Sequence, residues 1–300
     1  MPLEPFPIIP ITDAVIRQDE PMGSKDKFWC ELPADLAGGG RWLFKQPRQE
    51  PEKIEHLAEK IAQEVAALIR VPCARIELAE YKGIRGTISL DVQASGEVLV
   101  HGNEIIAGRV MGYDRTKRRK TTDHTFERIR QAIMEVCKGT CEEDMKQFAG
   151  YLVLDALIGN TDRHHENWAL LRRESKEGVT YRLAPSFDHA SSLGREMRDA
   201  RRLLILRENR LDAYIQGGPG AIYLTALGEQ AVSPMDLVRI LAESLPEPFR
   251  PCLRALESVT SESVNAILNR LPNGWSSEAQ RQFAAALIRR AGEILSGFTK

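Results

Sequence analysis

Gly159-Asn160-Thr161-Asp162-Arg163-His164-His165-Glu166-Asn167-Trp168 is the stretch on which the reading of this chain turns. Ahead of it, Met145, Phe148, Leu152 and Ala156 recur at helical spacing, and Gly159-Asn160 is a helix stop. Behind it, residues 168–171 and 179–183 read as two strands around Glu174-Ser175-Lys176-Glu177-Gly178. The stretch is therefore a loop between a helix and a hairpin, dense in ionisable and amide side chains. Phosphoryl transfer needs a carboxylate to orient and deprotonate the acceptor hydroxyl, and oxygen ligands for Mg²⁺. Protein kinases supply these from one loop as Asp-x-x-x-x-Asn, with a second metal-binding Asp one hairpin later. Asp162 and Asn167 have that spacing. Pro185-Ser186-Phe187-Asp188-His189 follows the hairpin, with Asp188 at the second metal position. Both are hard oxygen donors of the kind Mg²⁺ takes. Two other readings compete: a loop of polar Asx-turn caps, and a zinc site of His164, His165 and Glu166. Adjacent histidines diverge, however, and no His-x3-His pair is present.

The same chemistry needs a cation on the phosphates. Lys45, in Trp42-Leu43-Phe44-Lys45-Gln46-Pro47, lies within an apolar strand, where an unpaired ammonium would be costly. The alternative is an edge-strand lysine facing solvent. The next segment, with Pro51 near its start, carries Ile54, Leu57, Ala58, Ile61, Val65, Leu68 and Ile69 as one helical stripe. It offers Glu52, Glu55, Glu59 and Glu64 as partners for the lysine.

The first 92 residues are mixed, with strands expected at 14–17, 28–32, 41–46, 74–81 and 86–92. Gly38-Gly39-Gly40 signals a hairpin, and Pro21-Met22-Gly23-Ser24-Lys25-Asp26-Lys27 reads as a loop. Beyond residue 100 the pattern is mostly helical. Ile129 and Ile133 mark one helix, Ser233-Pro234-Met235-Asp236 starts another, and Ile267 and Leu287 lie in the last two stripes. The layout is a small β-rich lobe with one helix, residues 1–92, and a larger helical lobe with a hairpin, residues 93–300.

Composition narrows the function classes. The chain has 300 residues, 43% hydrophobic and 28% charged, with a net charge of −1, so nothing draws it globally to nucleic acid or anionic lipid. Residues 115–120 (RTKRRK) are the one basic run and lack interleaved aromatics, so a solvated loop is expected there. Arg201-Arg202 and residues 207–210 are expected to face solvent or substrate. Five scattered cysteines fit free thiols better than a disulfide or zinc framework. The N-terminus lacks the basic region and apolar core of a secretory signal, and no apolar run reaches the ~20 residues of a membrane span. A cytoplasmic protein without membrane association is expected.

TDRHHENW followed by APSFDHASSLG resembles the HipA-like kinase family, which shares a distant core with phosphatidylinositol kinases and their Asp-Arg-His-x-x-Asn loop. WLFKQP, EKIAQEVAALIRVP, ELAEYKGIRGTISL and VLVHGNEI are similar to further family segments, so the resemblance spans most of the chain. It implies an α+β, bilobal protein-kinase-like fold using ATP and Mg²⁺. It also implies that Asp162 is the catalytic base, His164 orients the loop, Asn167 and Asp188 hold the metal, and Glu59 partners Lys45. Gly23 and Ser24 fall in the phosphate-binding loop, and some relatives regulate themselves by phosphorylating a serine there. This loop has a single glycine, and the front of the chain is short for the extra subdomain of longer relatives. The expected activity is phosphorylation of a Ser or Thr of a protein substrate, and an antitoxin-like partner is a lesser expectation. A lipid or small-molecule kinase and a nucleotide-binding pseudokinase are the alternatives.

Overall fold

Strand alternation places the lysine. β1 (Ile8–Ile11), β2 (Ile16–Asp19), β3 (Lys27–Leu32), β4 (Gly40–Lys45), β5 (Ile76–Tyr81) and β6 (Ile84–Leu90) form one sheet in the order β1-β5-β6-β4-β3-β2. β1 runs parallel to β5, and the other pairs are antiparallel. The computed structural model describes residues 3–19, 27–47, 53–117, 121–226 and 231–299. On β4, Trp42 and Phe44 point into a small core with Cys30, Ala79 and Ile88. The period of two then turns Leu43 and Lys45 to the opposite face. Gly86 of β6 crosses β4 closely enough that an added Cβ would sit 2.6 Å from the Lys45 carbonyl oxygen, so no larger residue fits there. The strand expected at 14–17 is corrected. The Val15 amide bonds back to the Thr12 carbonyl at 3.2 Å, which winds Asp13–Val15 into a 3₁₀ turn and delays the strand to Ile16.

The helix α1 (Glu55–Leu68) buries the predicted stripe, from Ile54 through Leu57, Ile61 and Val65 to Ile69. It packs against the rest of the chain, which comprises β7 (Glu97–His101), α2 (Gly102–Ala107), α3 (Phe126–Val136), α4 (Cys141–Ile158), β8 (Ala169–Ser175), β9 (Gly178–Leu183), α5 (Asp199–Arg207), α6 (Leu211–Gly217), α7 (Pro234–Ser244), α8 (Pro246–Ala255), α9 (Ser261–Asn269) and α10 (Glu278–Ser296). α4 is the axle: every residue from Phe148 to Ile158 is buried, and α1, α3, α7, α8 and α10 surround it. A helix that is apolar all round belongs in such a place. It stops at Gly159, which takes the left-handed conformation at φ 66° and closes the helix onto the Asp155 carbonyl. Ser233 caps α7 through the Asp236 amide with Pro234 at the first position, as its sequence signals.

A second sheet, in the order β7-β8-β9, is antiparallel throughout. Its hairpin β8–β9 is the expected one, whereas β7 and α2 were visible only as family-like segments. The fold is thus an α+β, protein-kinase-like pair of lobes. One hydrophobic core runs through α1 and the helices of the second lobe, so the lobes are fused along one side. The Phe6 amide reaches the Arg270 carbonyl at 2.7 Å, and Arg195 pairs with Glu55 at 2.8 Å across that seam. Among the described residues no helix is long and apolar enough to cross a membrane.

Candidate active site

A cleft of about 400 Å³ opens between the lobes, lined by Leu43 and Lys45 on one side and by His164, Asn167, Phe187 and Asp188 on the other. Lys45 is buried, and its Nζ donates to Glu59 Oε1 at 2.7 Å and to Asp188 Oδ1 at 3.2 Å. Glu59 is buried as well, and its second oxygen accepts from the Thr87 hydroxyl at 3.0 Å. Burial tends to neutralise the lysine. The Asp188 and Glu59 carboxylates more than offset that and hold its pKa above the ordinary value, so it is a fixed cation. The choice among four glutamates is settled by packing: Glu55 goes to Arg195 and Glu64 to Lys60 at 2.8 Å, and Glu52 lies outside the described residues.

Opposite the lysine, the loop after α4 is built around Arg163. Its guanidinium is buried and grips Asp155 of α4 through Nε at 2.8 Å and Nη2 at 2.7 Å. The remaining donors reach the Asn167 carbonyl at 2.6 Å and the Ser186 hydroxyl at 3.0 Å. One side chain therefore ties the helix, the loop and the segment before Asp188 together. Asn160 adds a bond to Asp155 Oδ1 at 2.7 Å. Within the loop, Asn167 Nδ2 donates to the Asp162 carbonyl at 2.7 Å, which leaves Oδ1 as the Asn167 atom able to ligate a cation. His164 accepts the Glu166 amide at 3.2 Å and so shapes the turn. Asp162 is half-buried, and its Oδ2 accepts from the Ser191 hydroxyl at 3.1 Å.

Asp188 adopts φ 59°, a left-handed conformation uncommon for a residue with a Cβ. The segment leading into it is pinned by a two-residue bridge, in which the Ser186 amide bonds the Pro72 carbonyl at 2.9 Å and the Ala74 amide bonds the Ser186 carbonyl at 2.8 Å. His189 is buried behind it, with Nε2 2.8 Å from the Ser186 hydroxyl. Burial and the neighbouring Arg163 hold its imidazole well below the ordinary pKa, so it is neutral. A second buried histidine supports the loop's exit: His124 Nδ1 donates to the Ala221 carbonyl at 2.9 Å, and its Nε2 accepts from Trp168 Nε1 at 3.1 Å. Burial pushes the pKa of His124 down to about 3. From the other side, β7 and α2 clamp the loop through His101 Nδ1 to the Glu166 carbonyl at 2.9 Å and the Asn103 amide to the His165 carbonyl at 2.9 Å.

Of the residues singled out from sequence, Lys45, Glu59 and Asp188 meet directly, and His164 and Asn167 share their cleft. Asp162 sits on the same loop and is fastened to Ser191. Gly23 and Ser24 lie outside the described residues, as does part of the basic run 115–120. The zinc arrangement does not assemble: His165 Nδ1 is taken by the Tyr113 hydroxyl at 2.7 Å, and among the described residues no group of three or more His, Cys, Asp or Glu is placed to hold a metal. Asp155, Arg163, Thr87, Ser186, Ser191 and His101 were not singled out. Arg163 and Ser186 belong to the Asp162 and Asp188 stretches, and Asp155 is a carboxylate within the apolar run of α4.

The family model of the HipA-like C-terminal domain matches residues 21–216. A curated relative from Sinorhizobium fredii (strain NBRC 101917 / NGR234), named "Putative kinase Y4dM", is 24% identical over 176 residues, which are 54% of this chain and 40% of that one. The match thus spans less than half of the relative's length. Among solved structures, the Helicobacter pylori proinflammatory kinase CtkA superposes with a TM-score of 0.78 at 18% identity, covering 98% of this chain and 96% of that one. HipA of the Shewanella oneidensis MR-1 toxin–antitoxin system, solved with HipB and operator DNA, gives 0.55 at 12% identity, over 93% of this chain and 64% of that one. At these identities the likeness is one of fold.

Proposed function

The chain belongs to the HipA-like C-terminal domain family, and from that premise we propose that it is an ATP- and Mg²⁺-dependent kinase acting on a Ser or Thr hydroxyl of a protein. The observation that carries the reading is the convergence of Lys45, Glu59 and Asp188 on a cleft shared with Asn167 of the Asp162 loop. Asn167 and Asp188 suit Mg²⁺, which takes one or two protein oxygens and completes its shell with waters and phosphates. Bound there, Mg²⁺·ATP would supply the transferable phosphoryl group and a charge that offsets its oxygens.

Lys45, held protonated by its two carboxylates, supplies fixed positive charge to the phosphates. Gly23 and Ser24 are assigned to the phosphate loop by family resemblance. Asp162 is the base: as the acceptor oxygen bonds to the γ-phosphorus and the bond to ADP breaks, the hydroxyl proton passes to its carboxylate. His164 and Arg163 touch no reacting atom and act by fixing the loop. The division at residue 92 separates the lysine-bearing lobe from the lobe with the base and metal ligands. A cytoplasmic location and an antitoxin-like partner belong to the proposal too, the latter supported by the solved HipA–HipB neighbour.

The test is incubation of the purified chain with labelled ATP, Mg²⁺ and a cell lysate, followed by identification of the labelled protein and residue. Asp162→Ala should lower labelling about 10²–10⁴-fold while ATP binding persists. Asn167→Ala and Asp188→Ala should each raise the Mg²⁺ requirement, with less-than-additive losses because they share the metal. Labelling by Asp162→Ala at the unsubstituted rate, or labelling indifferent to chelation of Mg²⁺, would overturn the reading.

A further inference from the structure

The Asp162 loop stands between two cavities. One is the inter-lobe cleft; the other, about 390 Å³, lies wholly within the second lobe, between the start of the loop and α5, α6 and α7. Thr161, the residue before Asp162, is in its wall, and so is Ser191, whose hydroxyl is bonded to the Asp162 carboxylate. None of Lys45, Glu59, His164, Asn167 or Asp188 lines it. A transfer reaction brings donor and acceptor to the base from different sides, and the second cavity is on the side the nucleotide groups leave open. Its volume is at the small end of the range for ligand sites, roughly 300–1,000 Å³.

We infer that this cavity is the acceptor subsite and that it takes an acidic polypeptide segment, with an apolar side chain on its floor and Asp or Glu residues on its rim beside the Ser or Thr that meets Asp162. The inference rests on the kinase reading and names the substrate class for that site. The floor is apolar, formed by the buried Ile205, Ile215 and Met235. The rim carries Arg201 of α5 and Arg210 of the following turn, both exposed. Arg201 has no ion pair among the described residues, and Arg210 has a loose exposed one with Glu208 at 3.4 Å. The acid in the wall, Glu196, already accepts from the Tyr214 hydroxyl at 3.2 Å.

Residues 195–210 hold six arginines against three acids, in a chain whose net charge is −1. Arg195 and Arg202 are consumed internally by Glu55 and Asp199, which leaves Arg198, Arg201, Arg207 and Arg210 exposed against Glu196 and Glu208, with Arg201 and Arg210 in the cavity wall. Arg198, the exposed N-cap residue of α5, lies just ahead of that helix. Exposed lining residues, Glu196, Ala213 and Gly217 among them, leave the cavity open along one side. That suits part of a longer chain better than an enclosed small molecule. Charges so placed select and steer a partner of opposite sign.

Two degenerate peptide pools test the inference, both with a central Ser or Thr and aliphatic neighbours, one rich in Asp and Glu and the other in Lys and Arg. Their phosphorylation by the full chain is followed with labelled ATP and Mg²⁺. Binding of the same pools with Ala at the acceptor position is followed by fluorescence anisotropy. ATP binding and acceptor-free ATP hydrolysis by the unsubstituted chain report on the kinase reading alone. The acidic pool should be preferred in both assays. Arg201→Glu/Arg210→Glu should lower kcat/KM for it about tenfold. Ala213→Trp, which fills the cavity from an exposed position, should weaken peptide binding. Gly217→Leu, whose Cβ meets nothing within 4 Å, replaces it should the tryptophan variant not fold. ATP turnover with the pools used equally, with the basic pool preferred, or with the acidic pool handled normally by the variants, overturns the inference and leaves the kinase reading standing. Displacement of the acidic pool by RNA assigns the arginine rim to nucleic acid and also overturns it. Absence of ATP binding and hydrolysis removes both readings.

Discussion

Arg163 and Lys45 are both buried cations held by carboxylates, Lys45 in the wall of the cleft and Arg163 behind the loop opposite, yet they are finished differently. Arg163 lies against Asp155 in a two-pronged contact, and its other donors go to the Asn167 carbonyl and Ser186. Its polar valences are used up inside the protein. Lys45 has Glu59 behind it and Asp188 in front, and the Asp188 side chain is 34% exposed in the cleft. In the proposed kinase reading, Asp188 would turn to a metal and the Lys45 charge would serve the phosphates. A closed ion pair holds geometry; an open one keeps a charge available. Burial of an ion pair therefore does not by itself mark function: what counts is whether the pair still has a face towards a cavity.

The largest effect should come from breaking the closed pair. Asp155→Ala leaves a buried guanidinium uncompensated, at a cost of about 3–5 kcal/mol and a Tm loss of roughly 10 °C. Calorimetry showing an unchanged Tm with turnover lost would erase the distinction. Lys45→Met should instead lower kcat/KM on the order of 10²-fold, as removal of a preorganised charge does elsewhere, with a smaller Tm loss than Asp155→Ala. Glu59→Gln should mimic it more mildly. Adding Glu59→Leu to Lys45→Met should restore Tm but not turnover, because an apolar pair replaces a buried ionic one at little cost to the fold. A double-mutant cycle with no coupling between positions 45 and 59 would discard the pair.

The smallest effect concerns acid. His189 and His124 are buried neutral on the closed side, with folded-state values below the ordinary 6.5, that of His124 at about 3. Below pH 6.5 the unfolded chain binds the protons that the folded one refuses. Stability is therefore full above that pH and falls as pH drops below 6.5, by about 1.4 kcal/mol per pH unit for each histidine until its folded-state pKa is reached, which for His124 is about 3. His124→Gln, which can still accept from Trp168 and donate to Ala221, should flatten this slope by one histidine's share in denaturant melts between pH 4 and 7. An unchanged slope would show that His124 is not one of the titrating groups. Lys45, its pKa held above the ordinary value by its carboxylates, titrates far from this window.

What could be read from the sequence was whatever a short span of chain encodes. The Asp162-to-Asn167 spacing, Asp188 at the hairpin's exit, the Gly159 stop, the Ser233-Pro234 cap and the stripe of α1 all lie within one element or one turn, where periodicity and backbone preference act locally. The same local pattern showed that Lys45 needed a carboxylate but could not choose among glutamates that the helix presents at several angles. Packing of α1 on the sheet made the choice, sending Glu59 to Lys45 and Thr87 and leaving Glu55 to Arg195. The Asp155 carboxylate interrupts the apolar run of α4, and only the folded loop brings Arg163 back to meet it. The clamp of β7 and α2 on the loop joins residues some 65 positions apart, as His101 does with the Glu166 carbonyl. Burial makes such pairings obligatory, since a desolvated charge or amide must find a partner. Which partner it finds is a property of chain segments distant in sequence, and only the tertiary structure decides it.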